Sequence, residues 1–272
     1  MPWHTPPPRS LDFPIETLTV RGESVPKLGL GTWNMHGETC RRAVLGALEL
    51  GYRHIDTAEM YQNETEIGRA LTQSYVKRED LFLTTKVWST HLRRPDLLTA
   101  CEGSLRRLGL DYVDLLLVHW PNPSVPIEET MQAMDELKHS GKARQIGVSN
   151  FSVPELQKAQ QSCRSHIFSN QVEYHPFHGQ DEIVQHCQDN DLVLTAYTPL
   201  AKGRVSRDST LSEIGYGYGK TGAQVTLRWL VQQGHVICIP KAANADHQKE
   251  NTGIFDFELS QEEMQRISRL AG

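Results

Sequence analysis

The sequence lacks the features that mark several large classes of protein. It has only five cysteines in 272 residues and no C-x-x-C pair, so we expect reduced thiols rather than a disulfide framework. No apolar run reaches membrane-spanning length, and the N-terminus has no apolar h-region of a signal peptide. The net charge of −5 gives no electrostatic reason to bind nucleic acid or an anionic membrane. These absences predict a cytoplasmic protein with neither nucleic acid nor membrane as a partner, and a monomer is the default expectation.

The order of apolar and polar residues predicts one repeating architecture. Residues 1–14 form a proline-rich tail that we expect to be mobile, and alternating residues around an Arg-Gly turn predict a β-hairpin at 17–26. Beyond it, apolar strand-like runs alternate with helical patterns. The predicted strands are 27–31, 52–56, 81–86, 113–119, 145–149, 168–173, 193–197 and 236–240. The predicted helices are 38–50, 64–74, 94–108, 127–140, 153–162, 181–190, 223–233 and 260–270.

This alternation predicts a single (β/α)₈ barrel, an α/β fold, over residues 15–272. The strand runs are almost continuously apolar, as parallel strands buried on both faces should be. A doubly wound nucleotide-binding sheet is the alternative, and it would require G-x-G-x-x-G directly before a helix. The segment Gly-Leu-Gly-Thr-Trp at 29–33 lacks the third glycine, and no helix follows it immediately. The last helix ends near the C-terminus, so we expect no long segment over the barrel mouth.

Four ionisable residues, Asp56, Tyr61, Lys86 and His119, lie at or just beyond the ends of predicted strands. The active sites of (β/α)₈ barrels are built at this edge. The four side-chain types also suit one task. A phenol can give a proton to a carbonyl oxygen, an ammonium can lower the pKa of the phenol, a carboxylate can hold the ammonium, and an imidazole can orient the substrate oxygen. The set predicts carbonyl reduction.

Seven short segments add a more specific pattern, in one order along nearly the whole chain past the tail. They are Gly29-Leu30-Gly31-Thr32-Trp33, Asp56-Thr57-Ala58-Glu59-Met60-Tyr61-Gln62-Asn63-Glu64, Lys86-Val87-Trp88, His119-Trp120-Pro121, Ile146-Gly147-Val148-Ser149-Asn150-Phe151, Asn170-Gln171-Val172-Glu173-Tyr174-His175-Pro176 and Ile239-Pro240-Lys241. Together they resemble the aldo-keto reductase family. The short loops look like those of small prokaryotic members, such as the reductases of 2,5-diketo-D-gluconate. The resemblance implies reduction of aldehydes and ketones with NAD(P)H in a (β/α)₈ barrel.

The roles of the four residues follow from the chemistry and from this resemblance. Hydride delivery builds negative charge on the carbonyl oxygen, so Tyr61 is the expected proton donor. Lys86 is expected to lower the pKa of Tyr61, and Asp56 to keep Lys86 charged. A neutral His119 would donate one N–H to the substrate oxygen. Taken singly each residue has a structural explanation, such as a rim ion pair for Asp56 and Lys86, but the four in family register favour catalysis.

The resemblance also implies a cofactor site. Ser149, Asn150 and Gln171 would hold the nicotinamide carboxamide, and Tyr197 would stack on the ring; a helix N-cap or a core aromatic is the structural alternative for these residues. The expected cofactor-binding residues are Gly31, Thr32, Trp33, Asp56, Ser149, Asn150, Gln171, Tyr197, Leu200, Lys241, Ala242, Asn244, His247, Glu250 and Asn251. No metal site is expected, because the only tempting pattern, His175-Pro176-Phe177-His178, has no third ligand nearby.

The substrate pocket is expected to have aromatic and apolar walls. Its predicted residues are Trp33, Met60, Trp88, Trp120 and Phe151, which suit an apolar aldehyde or ketone. With no long segment predicted over the mouth, we expect a broad range of small carbonyl substrates and high KM values.

One segment departs from the family. The usual adenosine-phosphate pattern is Lys, Ser, an Arg six residues after the Lys, and Glu-Asn. Here Lys241, Glu250 and Asn251 are kept, but Ala242 replaces the serine and His247 the arginine. An arginine can grip a phosphate with two parallel charge-assisted bonds, whereas a histidine offers at most one donor. We therefore predict NADPH as cofactor, with lower selectivity over NADH than is usual in the family.

Two other functions compete with a reductase. A Schiff-base lyase would use Lys86 or Lys241 as nucleophile, since barrel aldolases place a lysine at a strand end. It leaves Tyr61 and the carboxamide-binding set without a purpose. A cofactor-binding regulatory subunit is the second rival, and the complete set of four catalytic residues argues against it.

Overall fold

The structure is a computed structural model that describes residues 14–271. The predicted tail at 1–14 therefore lies, apart from Pro14, outside the described residues. Among those described, no helix is long and apolar enough to cross a membrane.

The first element of the described residues is the predicted hairpin, formed by β1 (Thr17–Val20) and β2 (Glu23–Pro26). The turn needs two residues of positive φ, and Arg21 (50°) and Gly22 (83°) supply them. Val20 and Val25 are buried and pack with Phe82, Phe168 and other apolar residues near the starts of the barrel strands. The hairpin therefore closes the end of the barrel opposite to the strand ends that carry the predicted site.

Eight parallel strands follow, paired in sequence order from β3 to β10, and confirm the (β/α)₈ fold. They are β3 (Leu30–Gly31), β4 (His54–Asp56), β5 (Phe82–Val87), β6 (Val113–Val118), β7 (Ala143–Ser149), β8 (Ile167–Glu173), β9 (Val193–Tyr197) and β10 (Val236–Cys238).

The barrel closes between β3 and β10 through single bridges, Leu28 to Cys238 and Gly31 to Lys241. A side chain at Gly31 would bring a Cβ within 2.5 Å of the Ile239 carbonyl oxygen, so this close approach requires glycine. The seam consists of bridges rather than a continuous ladder. For this reason β3 and β10 are shorter than the predicted 27–31 and 236–240.

The helices surround the sheet. They are α1 (Gly37–Glu49), α2 (Glu64–Gln73), α3 (Arg94–Leu108), α4 (Ile127–His139), α5 (Val153–Gln161), α6 (Asp181–Asp189), α7 (Ser209–Tyr218), α8 (Gly222–Gln232), α9 (Ala245–Thr252) and α10 (Gln261–Ser268). Two of them were not predicted. Helix α7 contains Gly215 and Gly217, which weaken the helical pattern, and α9 has almost no apolar stripe. Both begin at side-chain caps instead, from Asp208 and Asn244.

Candidate active site

A buried lysine lies at the centre of the predicted catalytic group. Lys86, in β5, has no exposed side-chain surface. Its Nζ donates to Asp56 Oδ1 at 2.5 Å, to the Thr57 carbonyl at 2.8 Å and to Tyr61 Oη at 3.3 Å. Burial acts to lower the pKa of Lys86, but Asp56 and Tyr61 outweigh it and hold this pKa above its ordinary value. Lys86 is therefore a cation throughout the neutral pH range.

Neighbouring strands bring Asp56 and Lys86 together. Asp56 ends β4, which pairs in parallel with β5, so both side chains reach the same end of the barrel. Asp56 Oδ2 also accepts a bond of 2.8 Å from Gln171 Nε2, which reaches it from β8 across the barrel. Both carboxylate oxygens are thus paired, as a buried charge requires.

Tyr61 ends a 3₁₀ turn, Glu59–Tyr61, just beyond β4. Burial raises the pKa of the Tyr61 phenol above its ordinary value of about 10, and the Lys86 charge offsets only part of that increase. Lys86 thus acts to lower this pKa, as expected, but desolvation is the larger effect and the net pKa is raised. At neutral pH the phenol keeps its proton.

His119 follows β6 and packs its ring edge-on against Tyr61 (5.6 Å between centroids) and Trp88 (5.1 Å). Burial and, secondarily, the Lys86 charge lower the pKa of His119 to about 3. The imidazole is therefore neutral at pH 7. Its Nδ1 is buried and has no hydrogen-bond partner among residues 14–271.

The residues predicted to hold the carboxamide form one polar network beside His119. Asn150 Nδ2 donates to Ser149 Oγ and to the His119 carbonyl, both at 3.1 Å, and Asn150 Oδ1 accepts from the Tyr197 hydroxyl at 2.9 Å. Ser149 Oγ donates to the Gln171 carbonyl at 2.8 Å. The N-cap of α5 is Ser152, so neither Ser149 nor Asn150 has that structural role.

A cavity of about 790 Å³ connects these groups to the loop before α9. Most of the predicted site residues line it: Gly31, Thr32, Trp33, Asp56, Met60, Tyr61, Trp88, His119, Trp120, Ser149, Asn150, Gln171, Tyr197, Leu200, Lys241, His247, Glu250 and Asn251. This volume is typical of small-molecule and cofactor sites, about 300–1,000 Å³. Trp33 (53% exposed) and Trp120 (44%) lie at the solvent-exposed edge of the cavity.

Four predicted site residues do not line the cavity. Lys86 lies behind Asp56 and Tyr61, which it contacts. Phe151 is 2% exposed and belongs to the hydrophobic core, so the structure does not bring it to the substrate wall. Ala242 is buried, and the side chain of Asn244 accepts from Asp246 N at the start of α9.

At the far end of the cavity, Lys241 and His247 are exposed on the loop and first turns of α9. Glu250 Oε1 accepts from Thr221 Oγ1 at 2.7 Å. Among the described residues, no arginine lines this end of the cavity.

Residue-level prediction missed part of the lining, most of it in the loop after β9. Eight further residues contribute: Thr198, Pro199, Lys202, Gly203, Ser206, Ala223, Ile239 and Pro240. Positive φ at Thr198 (50°), Ala201 (46°), Lys202 (52°) and Gly203 (88°) turns the loop after β9 back along the cavity. In the sequence, Gly203 is the only one of these four residue types that marks such a bend.

Among residues 14–271, no group of three or more histidine, cysteine, aspartate or glutamate side chains is arranged to hold a metal ion. His175 Nε2 instead contacts Glu173 Oε1 at 3.3 Å.

Comparisons with known proteins agree on one family. The sequence pattern of the Aldo/keto reductase family matches residues 27–271. The glyoxal reductase of Bacillus subtilis (strain 168) is 41% identical over 250 residues, which cover 92% of this chain and 90% of that protein.

Solved structures extend the agreement to the fold. A protein provisionally named 2,5-diketo-D-gluconic acid reductase B is 44% identical, with a TM-score of 0.92 over 94% of this chain and 91% of its own. An aldo-keto reductase solved with NADPH is 32% identical, with a TM-score of 0.90 over 95% of this chain and 88% of its own. The chain belongs to the aldo-keto reductase family and is a nicotinamide-dependent oxidoreductase of carbonyl compounds.

Proposed function

We propose that this enzyme reduces aldehydes and ketones with Tyr61 as the proton donor, Lys86 and Asp56 as the charge pair behind it, and His119 as the residue that orients the substrate oxygen. The observation that carries the proposal is the contact of a fully buried Lys86 with both Asp56 and Tyr61 at one end of the cavity. The rival lyase would need Lys86 as a neutral nucleophile, and the raised pKa of Lys86 opposes this.

The steps follow from the charges of these residues. When bound, the nicotinamide supplies the hydride. As negative charge grows on the substrate oxygen, the Tyr61 O–H bond breaks and its proton forms the new O–H bond of the alcohol. Lys86 lies 3.3 Å from the resulting phenolate oxygen and stabilises it. His119 is neutral, so it can donate an N–H to the substrate oxygen without competing as an acid.

The chemistry of the cavity suits a nicotinamide dinucleotide. Ser149, Asn150 and Gln171 offer amide and hydroxyl groups beside the catalytic residues, and Tyr197 offers a ring face. The same cavity extends to Lys241 and His247, whose side chains are exposed for a phosphate. Ala242 is buried and carries no hydroxyl, and an imidazole replaces the guanidinium at position 247. These two departures support NADPH use with reduced selectivity over NADH.

The aromatic wall beside the catalytic residues supports neutral, apolar substrates. Trp33, Trp88, Trp120 and Met60 line this end, and Trp33 packs edge-on against Tyr61 at 4.9 Å between centroids. Aromatic and short aliphatic aldehydes are the expected substrates, accepted broadly because few polar groups discriminate among them.

Replacement of the phenol tests the proposal. Tyr61→Phe should lower kcat for benzaldehyde with NADPH by about 10²- to 10⁴-fold, equivalent to about 3–5 kcal/mol, because the proton donor is lost. Tyr75→Phe is the matched control, since Tyr75 is 93% exposed and outside the cavity. A Tyr61→Phe enzyme with the kcat of the wild type would contradict the assignment.

A further inference from the structure

A carboxylate outside the catalytic group joins the two loops that form its mouth. Glu59 opens the 3₁₀ turn that ends at Tyr61. Its Oε2 accepts from the Trp88 backbone N–H at 3.2 Å, and its Oε1 contacts His91 Nδ1. The Glu59 side chain is only 16% exposed, although that of His91 is 46% exposed. We call these three residues the rim clasp.

The two loops follow neighbouring strands, β4 and β5. The first follows β4 and carries the proton donor. The second follows β5, and its own turn, Ser89–His91, is closed by a bond of 2.9 Å from His91 N to the Trp88 carbonyl. Both oxygens of one carboxylate therefore bind the second loop, one at each side of its turn.

Trp88 connects the rim clasp to the reaction. Its ring lines the cavity and packs edge-on against His119 at 5.1 Å between centroids. Because Glu59 lies two residues before Tyr61 and binds the backbone of Trp88, it sets the separation between the proton donor and the aromatic wall. A loop that is free to move would leave that separation undefined.

We propose that Glu59 is a positioning residue, which fixes the Trp88 wall against His119 and so determines how well bulky carbonyl substrates are held. The inference rests on the proposed function, since it concerns the orientation of a carbonyl beside Tyr61. Glu59 acts through Trp88 and His91. A substrate large enough to touch the Trp88 ring depends on the rim clasp, and a two-carbon aldehyde does not.

The test compares two aldehydes in three enzymes. Glu59→Ala removes both contacts. Glu59→Gln keeps an acceptor for Trp88 N and a polar group for His91, so it is the conservative rescue. Glu38→Ala is the matched control, because Glu38 is an exposed carboxylate on α1 that pairs with Arg41 and Arg42 away from the cavity. Steady-state kcat and KM with NADPH are measured for benzaldehyde and for acetaldehyde, with thermal unfolding alongside.

In Glu59→Ala, KM for benzaldehyde should rise about tenfold or more while kcat/KM for acetaldehyde changes less than threefold. Glu59→Gln and Glu38→Ala should stay within threefold of the wild type for both aldehydes. Equal losses for the two aldehydes in Glu59→Ala, or no loss for either, would overturn the positioning role, as would a Glu59→Gln enzyme as impaired as Glu59→Ala. A wild-type enzyme that turns over neither aldehyde would instead overturn the proposed function.

Discussion

The two ends of the cavity differ in how their charges are held. At the catalytic end, Lys86 is completely buried, and Asp56, Thr57 and Tyr61 satisfy its ammonium. At the other end of the cavity, Lys241 and His247 are exposed. Buried charges are costly unless they are paired. Loss of one partner in the buried group should therefore lower the free energy of unfolding. Exposed side chains can change at little cost in stability, which explains how position 247 departs from the family while the catalytic end keeps its pattern.

The largest expected effect on stability comes from removal of the buried ion pair between Lys86 and Asp56. Lys86→Met should destabilise the protein by about 3–5 kcal/mol, because it leaves Asp56 charged and buried with only Gln171 as partner. Adding Asp56→Asn should recover part of that loss, since the uncompensated charge is removed. Chemical unfolding of the single and double variants measures both effects.

A surface pair provides the control. Lys142 and Glu102 form an ion pair whose side chains are 37% and 56% exposed. Lys142→Met should cost no more than about 1 kcal/mol. If Lys86→Met destabilised the protein no more than Lys142→Met, the claim that the buried charges contribute more to stability than the exposed ones would be contradicted.

The second largest expected effect is a loss of stability in acid. Burial is the main cause that lowers the pKa of His54 to about 4 and of His119 to about 3, so both stay neutral in the folded state. In the unfolded chain a histidine takes up a proton near pH 6.5, so stability is complete above that pH and is lost as the pH falls below it. Between pH 6.5 and pH 5 each histidine should cost about 2 kcal/mol.

The measurement is the free energy of unfolding in urea at several pH values. His119→Gln removes one of the two groups, so its stability should fall less steeply with acid than that of the wild type, by about 1.4 kcal/mol per pH unit. Identical slopes in the two proteins would mean that His119 is protonated in the folded state.

The sequence predicted where the site residues meet better than how they interact there, for physical reasons. Strand ends are marked by apolar runs, so the meeting of Asp56, Lys86 and His119 at one rim followed from periodicity and barrel topology. The net pKa of Tyr61 depends on how burial balances the Lys86 charge, which no pattern of residues reveals. Phe151 follows a strand end like the pocket tryptophans, yet it turns into the core. Helix α9 depends on its side-chain cap rather than on an apolar stripe. The contact from Glu59 to Trp88 N joins two loops that are far apart in the sequence, so no local pattern predicts it.

The smallest effect concerns the open end. His247→Arg should raise the preference for NADPH over NADH by about tenfold or more, because a guanidinium can make two charge-assisted bonds to the 2′-phosphate. The free energy of unfolding should stay within about 0.5 kcal/mol of the wild type, since His247 is exposed. The ratio of kcat/KM for the two cofactors gives the answer, with His36→Arg, an exposed position outside the cavity lining, as control. An unchanged ratio would mean that the 2′-phosphate of NADPH does not bind near position 247.

The independence of the two ends is tested most directly by a double-mutant cycle with Tyr61→Phe and His247→Arg, measured as single-turnover reduction of benzaldehyde and as the Kd of NADPH. We predict that Tyr61→Phe lowers the rate and leaves Kd unchanged, that His247→Arg lowers Kd and leaves the rate unchanged, and that the double variant shows the sum of both effects within about 0.5 kcal/mol. A coupling energy above about 1 kcal/mol in either quantity would contradict the separation of a buried catalytic end from an open cofactor end.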